Sequence, residues 1–274
     1  MSAPTRSKRS GAIGRWVFTA YVVAIVVFLF FPILIVVPMS FSGERFLGFP
    51  PKTLGLRWYV NYFSDANWIE LTLRSLRVGL ASSLAATVLG TMAALALVRG
   101  GVPFKRTITM LFAAPVVIPT VIIALGVFIV TVRMEINDNE LSLIAAHATI
   151  AMPFVVMMVG AALRQVDPTY ERAARVLGAG PVRAFFYTTF RAILPGVVAA
   201  AIFAFFISFD ELIIALFVMS ENHTLPIRIW SDLRFELDPT IAAISTLLAA
   251  VTTVAMIAAD VLRRRANRLN PDKA

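Results

Sequence analysis

The chain contains no cysteine and only two histidines, His147 and His223. The first absence excludes disulfides, thiol catalysis and cysteine-ligated metal sites. The second leaves too few imidazoles for most histidine-based metal centres. No phosphate-binding glycine loop followed by Lys and Ser/Thr occurs, nor His-Glu-x-x-His, nor Gly-x-Ser-x-Gly. Nucleotide hydrolysis and the commoner hydrolase chemistries therefore have no seat here. Charge is scarce too: 15% of the 274 residues are charged and 59% are hydrophobic. Mean hydropathy is +0.81. So much apolar surface does not fit inside a core of this size, and lipid is the expected solvent.

The apolar residues come in long runs. Uncharged stretches of 28, 21, 26, 23 and 21 residues lie between Arg15 and Glu44, Arg77 and Arg99, Arg106 and Arg133, Glu140 and Arg164, and Asp238 and Asp260. Arg191 to Asp210 encloses 18, Asp210-Glu211 interrupts, and nine more follow. A membrane-crossing helix needs about 20 apolar residues. The reading is an all-α integral membrane protein forming one transmembrane domain, 1–274. Its six transmembrane helices are expected at about 16–41, 74–98, 107–132, 141–164, 192–219 and 239–262. The first run is longer than a secretory signal and no clear cleavage site follows, so it is read as a retained helix.

The net charge of +9 does not mark a nucleic-acid binder, because the arginines sit at the edges of apolar runs. Seventeen Lys and Arg fall on the side of the termini and of the segment 165–191, and eight on the other. Positive charge stays inside, so both termini and that segment are expected in the cytoplasm. Arg263-Arg264-Arg265 reads as an inside anchor.

Within the spans, Ala86, Gly90 and Ala94 recur every fourth residue, a small-residue face for close helix packing. Pro115, Pro119 and Pro153 remove backbone hydrogen bonds and are expected to kink their helices. No inverted repeat or broken helix is apparent. An autonomous secondary transporter, which would show them, is thus the weaker alternative.

The one long polar segment contains Asp167-Pro168-Thr169-Tyr170-Glu171-Arg172-Ala173-Ala174-Arg175-Val176-Leu177-Gly178-Ala179. Asp167 suits an N-cap and Pro168 the first helical position. Glu171 lies where the helix dipole favours an anion, and Gly178 suits a helix end with positive φ. The expected short helix, 168–177, either docks a partner or lies solvated on the lipid surface.

This segment resembles the signature of ATP-binding-cassette importer permeases: Glu-Ala-Ala, three residues, Gly, nine residues, Ile-x-Leu-Pro. With Gly178 as anchor, Ala173 and Ala174 fall on the two alanines, and Leu177-Gly178-Ala179 on the usual Leu-Gly-Ala. Arg172 stands at the Glu position, with Glu171 one residue earlier, which implies a different complementary surface on the partner. Leu194-Pro195 comes four residues after the expected Leu-Pro. His147 to Val156, Ser208-Phe209-Asp210-Glu211 with Phe217-Val218, and Leu225 to Ser231 are similar to the spermidine/putrescine branch.

The resemblance implies the type I importer permease fold in a bacterial inner membrane, with a cytoplasmic coupling helix between the fourth and fifth spans. Glu171, Arg172, Ala173, Ala174, Leu177 and Gly178 are the ATPase-coupling residues it implies. The implied partners are a second permease, a pair of ATPase subunits and a periplasmic binding protein. This subunit would carry no cofactor, since ATP is hydrolysed by the partner. Polyamines are the leading substrates; opines, 4-aminobutyrate, aminoethylphosphonate and iron are carried by related permeases.

Asp210 and Glu211 interrupt the fifth span, where a charge at mid-bilayer costs about 3 kcal/mol or more. Two readings stand. They contact a cationic substrate in the translocation path, or they form an internal ion pair with Arg228 or Arg234 or sit near the outer interface. Adjacent residues lie about 100° apart on a helix, so both do not face one pore squarely. His147 reads as a hydrogen-bonded packing residue in preference to a proton relay, and Glu135, Asp138 and Glu140 as solvated loop charges in preference to contacts for a cationic ligand or its binding protein.

Overall fold

A computed structural model describes residues 8–221, 223–235 and 238–269. Apart from Arg15, the side chains of the basic stretches assigned to the termini, including Arg263-Arg264-Arg265, lie outside the described residues. Among the described residues the fold is helical, with one isolated antiparallel bridge between Ser42 and Leu54. The chain divides into two compact units, Met1–Ala66 with Ser231–Ala274, and Asn67–Trp230.

The first unit holds α1 (Lys8–Ser40), α2 (Arg57–Ser64) and α12 (Thr240–Leu269). Large apolar side chains of α1 from Trp16 to Leu34 are exposed. A stripe that protein does not cover is what a lipid-facing span presents. Asn61 Nδ2 donates to Thr240 Oγ1 at 2.9 Å, tying α2 to the start of α12.

The second unit is built on α3 (Ala66–Arg99), α6 (Glu140–Arg164) and α9 (Arg191–Phe209). Ala86 and Ala94 are fully buried and share a core cluster with Val155, Val159, Ile193 and Ala200. Gly90 lies between them on the same face, and a Cβ built there would stand 2.8 Å from Val155 Cγ1. The small-residue stripe thus lets α3 and α6 approach closely. Ser83 Oγ donates to the Ala201 carbonyl at 2.6 Å, and Ser82 Oγ to the Ile144 carbonyl at 3.2 Å. Between apolar helices in lipid, where the hydrophobic drive is missing, close packing and such hydrogen bonds hold the pair together.

Two runs read as continuous spans are broken. The third is α4 (Lys105–Val117) and α5 (Thr120–Arg133), bent by 102°. Ile118 is extended at φ −74°, ψ 131°, the conformation a following proline enforces. Pro119 therefore ends the helix instead of kinking it. The fifth helical stretch runs from Pro181 to Phe209, so it starts and stops earlier than the hydropathy run. It comprises α8 (Pro181–Ala184), a π-helical turn Phe185–Phe190 and α9, and the chain restarts after Glu211 as α10 (Ile213–Val218). Broken helices, which hydropathy did not reveal, are thus part of this fold. Between α6 and α8 lies α7 (Thr169–Val176), and α11 (Leu225–Phe235) follows α10. Among the described residues, four helices are long and apolar enough to cross a membrane, or five if the bent pair is one span. Thr240–Val254 is a shorter apolar helical stretch.

Candidate functional site

Where α7 begins, the Asp167 side chain accepts the Thr169 N–H at 2.8 Å. That backbone bond, then the Thr169 hydroxyl and the nearby Arg172 charge, hold its carboxyl below the usual range. The helix ends at Gly178, whose φ is +90° with nothing within 4 Å of a built Cβ. Only the backbone conformation demands glycine there.

The six residues assigned to coupling split between two faces. Glu171 points inward, its side chain 17% exposed. It accepts from Arg99 Nη1 at 3.1 Å, from Thr189 Oγ1 at 3.0 Å and from Arg175 Nη2 at 2.9 Å. Both of its oxygens are engaged. Arg172 and Ala173 are exposed and Ala174 is half-buried. Val176 and Leu177 are each 88% exposed. Arg99, at the end of α3, also donates to Thr189 Oγ1 at 2.8 Å and to the Val166 carbonyl at 3.1 Å. One guanidinium thus joins α3, the α6–α7 connection, α7 and the π-helical turn. Neither Arg99 nor Thr189 was singled out in the sequence. Arg99 read as a span edge, and nothing in its local pattern reports a partner 72 residues away.

The other site lies where the two helix breaks meet. A cavity of about 670 Å³ is lined by Ile118 and Thr120 from the first break, by Asp210 and Glu211 from the second, and by Phe154 and Phe206 among others. Both acidic residues line it, but their surroundings differ. Glu211 is 8% exposed and accepts from the backbone N–H groups of Ile213, Ile214 and Ala215 at 3.2, 2.8 and 3.3 Å. It caps α10, meeting N–H groups that a helix start leaves without partners. Asp210 closes α9, with its N–H bonded to the Phe206 carbonyl at 3.1 Å. Its carboxylate has no hydrogen bond or ion pair among the described residues. The Arg228 guanidinium lies over the Trp68 ring, 5.1 Å from its centroid.

His147 is buried against this site, 1% exposed. Its Nδ1 lies 2.8 Å from Ser208 Oγ, and its Nε2 lies 3.7 Å from Glu211 Oε2. Two of the acids in the segment 135–140 are engaged within the fold. Asp138 accepts from the Ser220 and Glu221 N–H groups at 3.0 and 3.2 Å, and Glu140 pairs with Arg77 at 3.3 Å. Among the described residues no cluster of three His, Asp or Glu could hold a metal ion.

Residues 86–268 match the family model described as binding-protein-dependent transport system inner membrane component. The chain is 32% identical over 241 residues to the putrescine transport system permease protein PotI of Escherichia coli K12, covering 84% of this chain and 85% of that one. It is 26% identical over 253 residues to the spermidine/putrescine transport system permease protein PotC of the same strain, covering 92% and 96%. A solved bacterial alginate ABC transporter, in complex with a pentasaccharide-bound periplasmic protein, superposes with a TM-score of 0.69 over 95% of this chain and 98% of that one. At 15% identity this likeness speaks for the fold alone, the type I importer permease. The chain therefore belongs to the binding-protein-dependent transport system inner membrane components, the permease subunits of ATP-binding-cassette importers.

Proposed function

We propose that this permease carries a polyamine such as putrescine or spermidine from periplasm to cytoplasm. The observation that carries this reading is the Asp210 carboxylate, without a counter-charge among the described residues, at the edge of a largely apolar cavity of about 670 Å³. A polyamine alternates ammonium groups with methylene runs. Asp210 would meet an ammonium, and Phe154, Phe206 and the isoleucines would cover the methylenes. A fixed carboxylate with aromatic faces nearby suits an organic cation. The names of the relatives PotI and PotC support the same substrate class.

Transport would proceed by alternating access, two permease subunits rocking about the cavity. The second permease would be a paralogue, and a periplasmic binding protein would deliver substrate. Both termini and the segment 165–191 would face the cytoplasm. There α7 would seat in a pair of ATPase subunits, Leu177 and Val176 supplying the apolar contact and Gly178 the turn. Hydrolysis would belong to those partners, with no cofactor held here.

The test is ATP-driven uptake by the complete transporter reconstituted in liposomes. Labelled putrescine or spermidine should accumulate, and excess of either unlabelled amine should suppress it. Accumulation of 4-aminobutyrate or aminoethylphosphonate with indifference to polyamines would give the permease a different cargo.

A further inference from the structure

Beside α7 lies a hollow of about 410 Å³ lined by Val98, Arg99, Pro168, Glu171, Arg172 and Arg175. Three guanidiniums border it against one carboxylate. Both oxygens of that carboxylate are already held, one by Arg99 and Thr189 and the other by Arg175. Arg172 is exposed, and its guanidinium has no hydrogen bond or ion pair among the described residues. Its charge is felt at Asp167, which is itself engaged by Thr169. The wall therefore carries an excess of two positive charges. Its free donor stands on the same short helix as the exposed apolar pair Val176 and Leu177.

We infer that Arg172 is the anchor of a basic socket, completed by an Asp or Glu side chain of the ATP-hydrolysing partner. The inference rests on the docking role proposed for α7 and adds the sign of the charge that the partner presents. A guanidinium and a carboxylate form paired, charge-assisted hydrogen bonds. The flanking Val176 and Leu177 would exclude water around the pair, which strengthens it. The same apolar pair makes a protein surface a better occupant than a free anion. Glu171 cannot serve as the outward contact, because turning it out would strand Arg99, which is 19% exposed, without its carboxylate.

The experiment uses the complete transporter in lipid nanodiscs. A photoreactive phenylalanine analogue replaces Tyr170, which is 67% exposed on α7, and reports contact with the ATPase. Arg172→Glu should lower coupled uptake about tenfold or more, since facing like charges is costly, and Arg172→Lys should lose less. A reversed charge at one acidic position of the ATPase should restore uptake to Arg172→Glu. Parental uptake by Arg172→Glu, with the photoprobe still labelling the ATPase, would overturn the socket and leave the docking role intact. Failure of the photoprobe to label the ATPase at all would remove the docking role itself. A defect cured by changing the anionic lipid fraction, and by no ATPase charge reversal, would assign the counter-charge to lipid headgroups and overturn the inference.

Discussion

Arg99, the last residue of α3, donates to Glu171 of α7 at 3.1 Å, and both side chains are more than four-fifths covered. The pair joins the end of a membrane-length helix to the short helix that would receive the ATPase stroke. A force on α7 thus has a direct route into α3, independent of the α6–α7 connection.

Removing either partner should loosen that joint. Arg99→Ala strands a largely buried carboxylate, at a cost of about 2–5 kcal/mol for a covered, hydrogen-bonded pair. Arg99→Ala and Glu171→Gln should each lower the melting temperature in detergent and leave ATP hydrolysis poorly coupled to uptake. The exchanged double variant, Arg99→Glu with Glu171→Arg, should recover part of the coupling. No recovery, with both chains inserted normally, would show that geometry and not charge pairing makes the joint.

Gly178 is held at φ +90° in open space. A β-branched side chain there meets no neighbour, only backbone strain of about 1–3 kcal/mol. Gly178→Val should leave the chain in the membrane while ATP-driven uptake falls sharply. Wild-type uptake by this variant would separate the turn from coupling.

Gly90 presents the opposite case, since its conformation is helical and space is the limit. A built Cβ lies 2.8 and 2.9 Å from Val155 Cγ1 and Cβ. Gly90→Ala should push α3 from α6 and destabilise the fold by about 1–3 kcal/mol, as overpacking does. Gly90→Ala with Val155→Ala should recover most of it. Thermal unfolding of the single and double variants reads this directly.

The two adjacent acids should separate by phenotype. Asp210→Asn removes a carboxylate that has no partner among the described residues and should raise KM for a cationic substrate with little change in melting temperature. Glu211→Ala removes the cap of α10 and should lower the melting temperature, with loss of about 1 kcal/mol for an N-cap. Equal thermal effects from both, with KM unchanged in Asp210→Asn, would contradict the division of labour drawn from their partners.

Several features were legible because they are set by neighbours in the chain. Asp167 caps Thr169 two residues on, and Gly178 takes the left-handed conformation that ends α7. The Ala86–Gly90–Ala94 spacing marked the face that meets Val155, since four residues return a helix to one side. The breaks were harder. Pro119 was visible, but a proline in a membrane helix either kinks or ends it, and packing of both halves decides which. Glu211 looked like a charge inside a span. It proved to be the cap of a new helix, an assignment that depends on three backbone N–H groups.

Composition and spacing determined by themselves that this chain is rich in long apolar helical runs suited to lipid, and that one polar elbow with a family signature interrupts them. Hydropathy and turn chemistry act over a few residues, so they survive translation into one dimension. Tertiary structure alone decided that Glu171 turns inward to Arg99, that Arg172 is left outward, and that the breaks at Ile118–Pro119 and Asp210–Leu212 line one cavity. Those outcomes pair groups 72 and about 90 positions apart. Their partners are chosen by packing, because a buried charge takes the counter-charge or donor that the fold brings within reach.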